Sequence, residues 1–254
     1  MAANRKALSK LEQVTDIFLV ALFGVAVLSG VTASLTGFGI GSLLTPLLAS
    51  RYGMAAAIAA VALPHALATG VRCWRLRAAI DRGVLRRFGL VSAAGSLAGA
   101  LLYSRLGGSA LTRVLGVLLI VTAVMNLAGW AQRWRPHGAG VWILGLGSGL
   151  FGGLAGNQGG IRAAALSSLG LWGPAFVATS TATGLLVDAA RTPIYVYRAG
   201  PTLVALATPI VVAASGVLVG TLAGERLLLS MNPARFKRVV AALVGLLGLF
   251  LLLS

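Results

Sequence analysis

The residues best equipped for chemistry in this 254-residue chain lie in "GNQGGIR", Gly156 to Arg162. Asn157 and Gln158 carry amide donors, and Arg162 carries a planar, permanently charged fork suited to an oxyanion. Glycine reaches backbone angles that other residues avoid, so Gly156, Gly159 and Gly160 predict a broken helix here. Where a helix restarts, unpaired N–H groups and a partial positive charge face the gap and attract small anions. A second stretch, "TGFGIGSLLTP", repeats the arrangement with Gly37, Gly39 and Gly41 and the hydroxyls of Thr36, Ser42 and Thr45. Pro46 removes a further backbone donor. The expected anion-binding set is therefore Asn157, Gln158, Gly159, Gly160, Arg162, Gly37, Gly39, Gly41, Thr36 and Ser42. Close helix packing is the competing account of the glycines alone. It leaves unexplained an arginine that costs at least about 2.5 kcal/mol at the centre of a membrane helix.

Three other polar residues fall within apolar stretches. Asp188 and Arg191 stand three apart and can share a helix face. Asp188 reads either as a proton carrier or as the ion-pair partner of Arg191 or Arg162. His65, in "ALPHALATG", reads as a proton relay, a substrate contact or a neutral histidine satisfied by a carbonyl. Thr179, Ser180, Thr181 and Thr183 add hydroxyls that mostly bond back to helix carbonyls, with one or two free to face a site. Beyond these, chemistry is scarce. One cysteine, Cys73, excludes an internal disulfide and any multi-cysteine metal site. Two histidines and five acids are too few for a metal or acid–base constellation, so no cofactor, metal or enzymatic activity is expected. Ser148 in "GLGSGLFGG" has a faintly hydrolase-like frame, but no histidine or acid accompanies it in the sequence. An intramembrane enzyme is the distant alternative.

The elements that must hold these groups are membrane helices. Of the residues, 58% are hydrophobic and 10% charged, and mean hydropathy is +0.93; soluble domains carry about a quarter charged residues. Eight apolar regions recur, at about 15–50, 54–71, 88–104, 114–131, 140–171, 174–190, 201–223 and 239–253. Six suit one crossing of a hydrocarbon core about 30 Å thick. The first and fifth, about 36 and 32 residues long, exceed one straight crossing at about 1.5 Å per residue, and they are the glycine-rich ones. The expected fold is an all-α polytopic membrane protein of about eight transmembrane helices in two related four-span halves. Glycine-broken or re-entrant segments fall in the first and fifth spans.

The expected organisation is an N-terminal cytoplasmic segment 1–14, a first repeat 15–131, the basic linker 132–139 and a second repeat 140–254. Interrupted glycine segments at matching places of two halves point to a transporter's binding site. Arg5, Lys6 and Lys10 before the run from Ile17 have the look of a signal peptide, but the apolar character continues to Leu48, so a retained span is expected.

A net charge of +16 raises nucleic acid as a partner, but such basic residues cluster on one wet face. Here they occupy short gaps between apolar runs, where they set membrane orientation. With a cytoplasmic N-terminus and eight crossings, Arg5, Lys6, Lys10, the arginines of 72–87, Arg133, Arg135, Arg191 and Arg198 fall on the cytoplasmic side. Arg51, Arg105, Arg113, Arg226, Arg235, Lys237 and Arg238 fall on the other, the last loop against the rule. This count makes the two halves parallel.

The paired halves, with "SLTGFGIGSLLTPLL" in the first and "GLFGGLAGNQGGIRAAAL" in the second, resemble the TauE/SafE family of sulfite exporters and toluene-sulfonate uptake proteins over nearly the whole chain. Where many members carry a third glycine in the second motif, this chain has Asn157 and Gln158. The resemblance implies a cytoplasmic-membrane secondary transporter of sulfur-containing anions such as sulfite, thiosulfate or organosulfonates. Export driven by a proton gradient or the membrane potential is the commoner assignment. A homodimer is compatible with this reading, and a passive anion channel is the alternative within it. The residues themselves argue only for a small anion.

Overall fold

The computed structural model describes residues 2–129, 138–171, 173–227 and 233–253, and all regular structure among them is helical. The helices are α1 (Ala2–Thr36), α2 (Ile40–Tyr52), α3 (Met54–Leu76), α4 (Leu90–Tyr103), α5 (Gly108–Leu127), α6 (Ala139–Ala155), α7 (Gly159–Ser168), α8 (Gly173–Ala205), α9 (Ala207–Leu227) and α10 (Pro233–Leu253). A short turn at Arg82–Val84 and a π-helical turn at Leu85–Gly89 lead into α4. The stretches Thr15–Thr36, Met54–Ala79, Arg82–Tyr103, Gly108–Met125 and Ala207–Gly224 are long and apolar enough to cross a membrane. The segment 1–14 continues α1 as helix from Ala2, and most of the linker 132–139 lies outside the described residues.

Both glycine motifs break the chain in the same way. Residues 37–39 separate α1 from α2, and residues 156–158 separate α6 from α7. In each, a glycine of positive φ ends the incoming helix: Gly37 (φ 78°) donates to the Ala33 carbonyl at 2.9 Å, and Gly156 (φ 71°) donates to the Gly152 carbonyl at 3.1 Å. A residue with a Cβ resists that left-handed backbone, so these glycines fix where the helices stop.

The short helices then turn back. Arg51 Nη2 donates to Thr15 Oγ1 at 2.9 Å, and the Phe18 and Tyr52 rings meet edge-on with centroids 5.7 Å apart. The end of α2 thus lies beside the start of the apolar part of α1. Gly138, Val141 and Trp142 at the start of α6 line a common cavity with Leu169 at the end of α7. Each glycine-rich region is therefore a re-entrant hairpin whose two ends share one end of the bundle.

Packing defines two ends. Thr15, Arg51 and Tyr103, whose hydroxyl donates to the Ala55 carbonyl at 2.6 Å, mark the first. Asp81, whose N–H donates to Thr179 Oγ1 at 2.9 Å, marks the second, together with Phe88 and Gly138. The hairpin α1–α2 opens toward the first end and α6–α7 toward the second. Around them α1 packs along α9, α6 along α4, α3 along α8 and α5 along α10. Two crossings are so tight that backbones touch: a side chain at Gly149 would strike the Ser92 carbonyl, and one at Gly220 the Val27 carbonyl.

These directions revise the sequence-based topology. One net crossing was expected for each long region, whereas each returns to its starting end. The start of α1 and the loop 72–87 consequently lie at opposite ends of the bundle, not together. Helices α3, α4 and α5 run opposite to α8, α9 and α10 respectively. Nor is Arg191 a loop residue: it is 1% exposed inside the bundle. The region 174–190 is extended into the 33-residue α8, which kinks at Ala199 (φ −120°, ψ 16°) beside Pro201.

Candidate functional site

The tips of the two hairpins meet inside the bundle. A side chain at Gly41 would strike the Gly156 carbonyl, and one at Gly159 would strike the Phe38 ring. Asn157 Nδ2 donates to Ser42 Oγ at 3.1 Å, and Asn157 Oδ1 accepts the Gly159 N–H at 3.4 Å. On the other side of the tip, Gly160 packs against Thr122 of α5. The starts of α2 and α7 are thus brought to one buried place, where first-turn N–H groups have no carbonyl partner within their own helices.

Arg162 ties the second hairpin to the first. Its Nε donates to Ser180 Oγ at 3.0 Å and its Nη2 to the Gly37 carbonyl at 3.0 Å. Its Nη1 is buried without a partner and lies against Gly184. Gln158 is 5% exposed, and neither its Oε1 nor its Nε2 has a partner. A buried polar group left unpaired costs about 1–3 kcal/mol, so this pairing deficit asks for an explanation.

The expected site residues therefore divide. Gln158 and Arg162 keep polar atoms unspent. Asn157 and Ser42 spend theirs on each other. Thr36 Oγ1 lies 2.8 Å from the Phe38 carbonyl and accepts the Phe38 N–H at 3.3 Å, so its hydroxyl shapes the turn. Replacing Ser42 by alanine strands the Asn157 amide and is expected to cost about 1–3 kcal/mol, read as a lowered melting temperature in detergent.

Beside the tips lies a second polar group. Asp188 Oδ2 is 2.6 Å from His65 Nδ1, while its Oδ1 accepts from Arg191 Nε at 3.0 Å and Nη2 at 2.8 Å. Arg191 Nη1 donates to the Gly152 carbonyl at 2.6 Å, and Tyr195 donates its hydroxyl to the Gly153 carbonyl. The ion-pair reading of Asp188 named Arg191 or Arg162 as its partner; the pair it forms is with Arg191, and His65 joins it from 123 positions away.

Tyr195 and Ser180 were under-read. Tyr195 lies one turn beyond Arg191, the only signal the sequence offered for it. Ser148 Oγ donates to the Gln158 carbonyl at 3.4 Å, not to a base. Among the described buried residues the permanent charges are Arg72, Arg162 and Arg191 against Asp188, an excess of positive charge. No group of three His, Cys, Asp or Glu side chains able to hold a metal occurs among the described residues.

Long apolar helices packed around two glycine-broken hairpins define a multi-pass membrane protein. The family described as sulfite exporter TauE/SafE matches residues 22–251, nearly the entire chain, and the protein belongs to that family. This is a family of membrane transporters. A comparison with curated proteins gave no match, and neither did one with solved structures.

Proposed function

We propose that this chain is a secondary transporter exporting small sulfur-containing anions, such as sulfite, thiosulfate or organosulfonates, through the meeting point of its two hairpins. The observation that carries the reading is the unspent donor set there: Arg162 Nη1 and the Gln158 amide, buried and unpartnered beside the starts of two helices. Half-helix starts favour anionic groups, and the guanidinium adds full charge in a place shielded from water. The family contributes the sulfur, and the geometry contributes the negative charge.

In this reading the halves are inverted repeats, with α3, α4, α5, α8, α9 and α10 crossing the membrane and one hairpin entering from each side. The opposed directions of matching helices support it. The bundle end that carries Arg75, Arg77, Arg82, Arg86 and Arg87 faces the cytoplasm by the positive-inside rule. The start of α1 then faces outward, contrary to the expectation of a cytoplasmic N-terminus. The end of α9 and the start of α10 lie on that same side, so Arg226, Arg235, Lys237 and Arg238 no longer break the rule. The membrane is the cytoplasmic one.

The test is thermal stabilisation of purified protein by sulfite, thiosulfate, organosulfonates, phosphate and neutral controls. Sulfite or thiosulfate at about 100 times its Kd is expected to stabilise by about 2.7 kcal/mol. Stabilisation by a neutral solute, with none by any anion, would sink the reading.

A further inference from the structure

We infer that His65 and Asp188 form a proton-binding site through which one proton moves with each transported anion. The inference rests on the anion-transport reading above and adds the coupling ion to it. Its basis is a juxtaposition that anion binding does not use. The buried carboxylate of Asp188, 1% exposed, meets His65 Nδ1 at 2.6 Å, and Thr69 Oγ1 lies 3.3 Å from the same nitrogen. Arg191 alone would neutralise this carboxylate in the ordinary way, and a second, titratable partner is surplus to that need. Histidine is the side chain whose charge changes nearest neutral pH.

The proton balance is simple. Because Asp188 Oδ2 can only accept, Nδ1 carries the hydrogen and the neutral ring keeps its lone pair on Nε2. An incoming proton binds Nε2 and creates an imidazolium–carboxylate pair; its departure from Nε2 restores the neutral ring. No other bond changes. His65 is 8% exposed, and Asp188 also lines an open groove of about 620 Å³ with Ala66, Thr192 and Tyr197. Of the pair, Asp188 borders that groove, whose walls are mostly apolar, while His65 lies behind it.

The charged and titratable groups around it set the sign of the coupling. Arg162 of α7 lies against Gly184, one turn before Asp188 on α8; Arg191 and Tyr195 lie on α8, and Arg72 lies two turns beyond His65 along α3. Tyr103 of α4 stacks on Tyr195 with ring centroids 4.9 Å apart. Every permanent charge here other than Asp188 is positive. A proton on His65 adds to that field, which an anion at Arg162 and Gln158 relieves. Anion and proton therefore raise each other's affinity, by a factor expected at about tenfold, and travel together.

The experiment uses the full chain in proteoliposomes with thiosulfate, whose charge stays fixed between pH about 5 and about 8, where histidine changes its own. Two signals are read: exchange of labelled for unlabelled thiosulfate, and accumulation driven by a pH gradient. Wild type is expected to show both. His65→Gln, which keeps an N–H for Asp188, is expected to retain exchange within about twofold and lose gradient-driven accumulation by about tenfold or more. In detergent, thiosulfate affinity should tighten about tenfold toward the acid end in wild type and stay flat in His65→Gln. Gradient-driven accumulation that survives the substitution overturns the inference, as does loss of exchange together with accumulation. Exchange in wild type without any response to the gradient overturns it while leaving anion transport intact; no exchange at all overturns the transport reading instead.

Discussion

Arg162→Met is expected to reduce thiosulfate or sulfite exchange by about tenfold to a hundredfold, the loss that follows from removing a charged hydrogen-bond donor worth about 1.5–3 kcal/mol. The protein should still fold. Deleting a guanidinium held by only two neutral partners removes a buried charge, and methionine fills much of the same volume. Ser180 Oγ already lies 3.5 Å from the Gly37 carbonyl and can take over that acceptor. Melting temperature without ligand is therefore expected to change little, while stabilisation by anions disappears. Arg162→Lys is a sharper probe. It keeps the charge but replaces the rigid planar fork, which holds Ser180 and Gly37 on two nitrogens and aims a third elsewhere, with one compact ammonium. It should bind weakly and transport poorly. Full transport by Arg162→Met would remove the arginine from the anion site.

Asp188→Asn carries the largest expected stability loss, about 3–5 kcal/mol, because it leaves the Arg191 guanidinium buried without its counter-charge. Asp188 and Arg191 are each 1% exposed and joined by two hydrogen bonds. The outcome should be a fall in melting temperature and poor recovery from detergent. Adding Arg191→Gln to Asp188→Asn should restore much of the loss, since the two amides can then pair. The coupling between the two positions, read from the four proteins of the cycle, isolates the ion pair from the cost of either change alone. Melting of the single variant at the wild-type temperature would show that the guanidinium finds its compensation elsewhere.

Much of this arrangement was legible in the residues. Glycine at 37, 39, 156, 159 and 160 announced two helix breaks because few other residues accept such backbone angles, and Gly37 and Gly156 take them up with φ of 78° and 71°. Arg162 was identifiable because a guanidinium inside an apolar stretch needs a reason. The return of α2 and α7 was not legible. Length alone cannot distinguish a 13-residue helix that completes a crossing from one that turns back. The side on which each loop falls hangs on that, so positive-inside counting depends on it as well. Nor could hydrogen-bond partners be read. Thr36, Ser42 and Asn157 belong to the expected types, yet they are consumed by the turn and by each other. The meeting of His65 with Asp188 depends on α3 packing along α8, which no local pattern encodes.

The bond from Arg162 to the Gly37 carbonyl has a mechanical consequence. A peptide oxygen from the opposite hairpin occupies one arm of the guanidinium, so the two tips are latched by the group proposed to hold the anion. Prising them apart strips that arm of its acceptor while its charge stays buried. On the proposed function, an oxyanion would take the carbonyl's place, so parting of the tips is expected to go with anion binding.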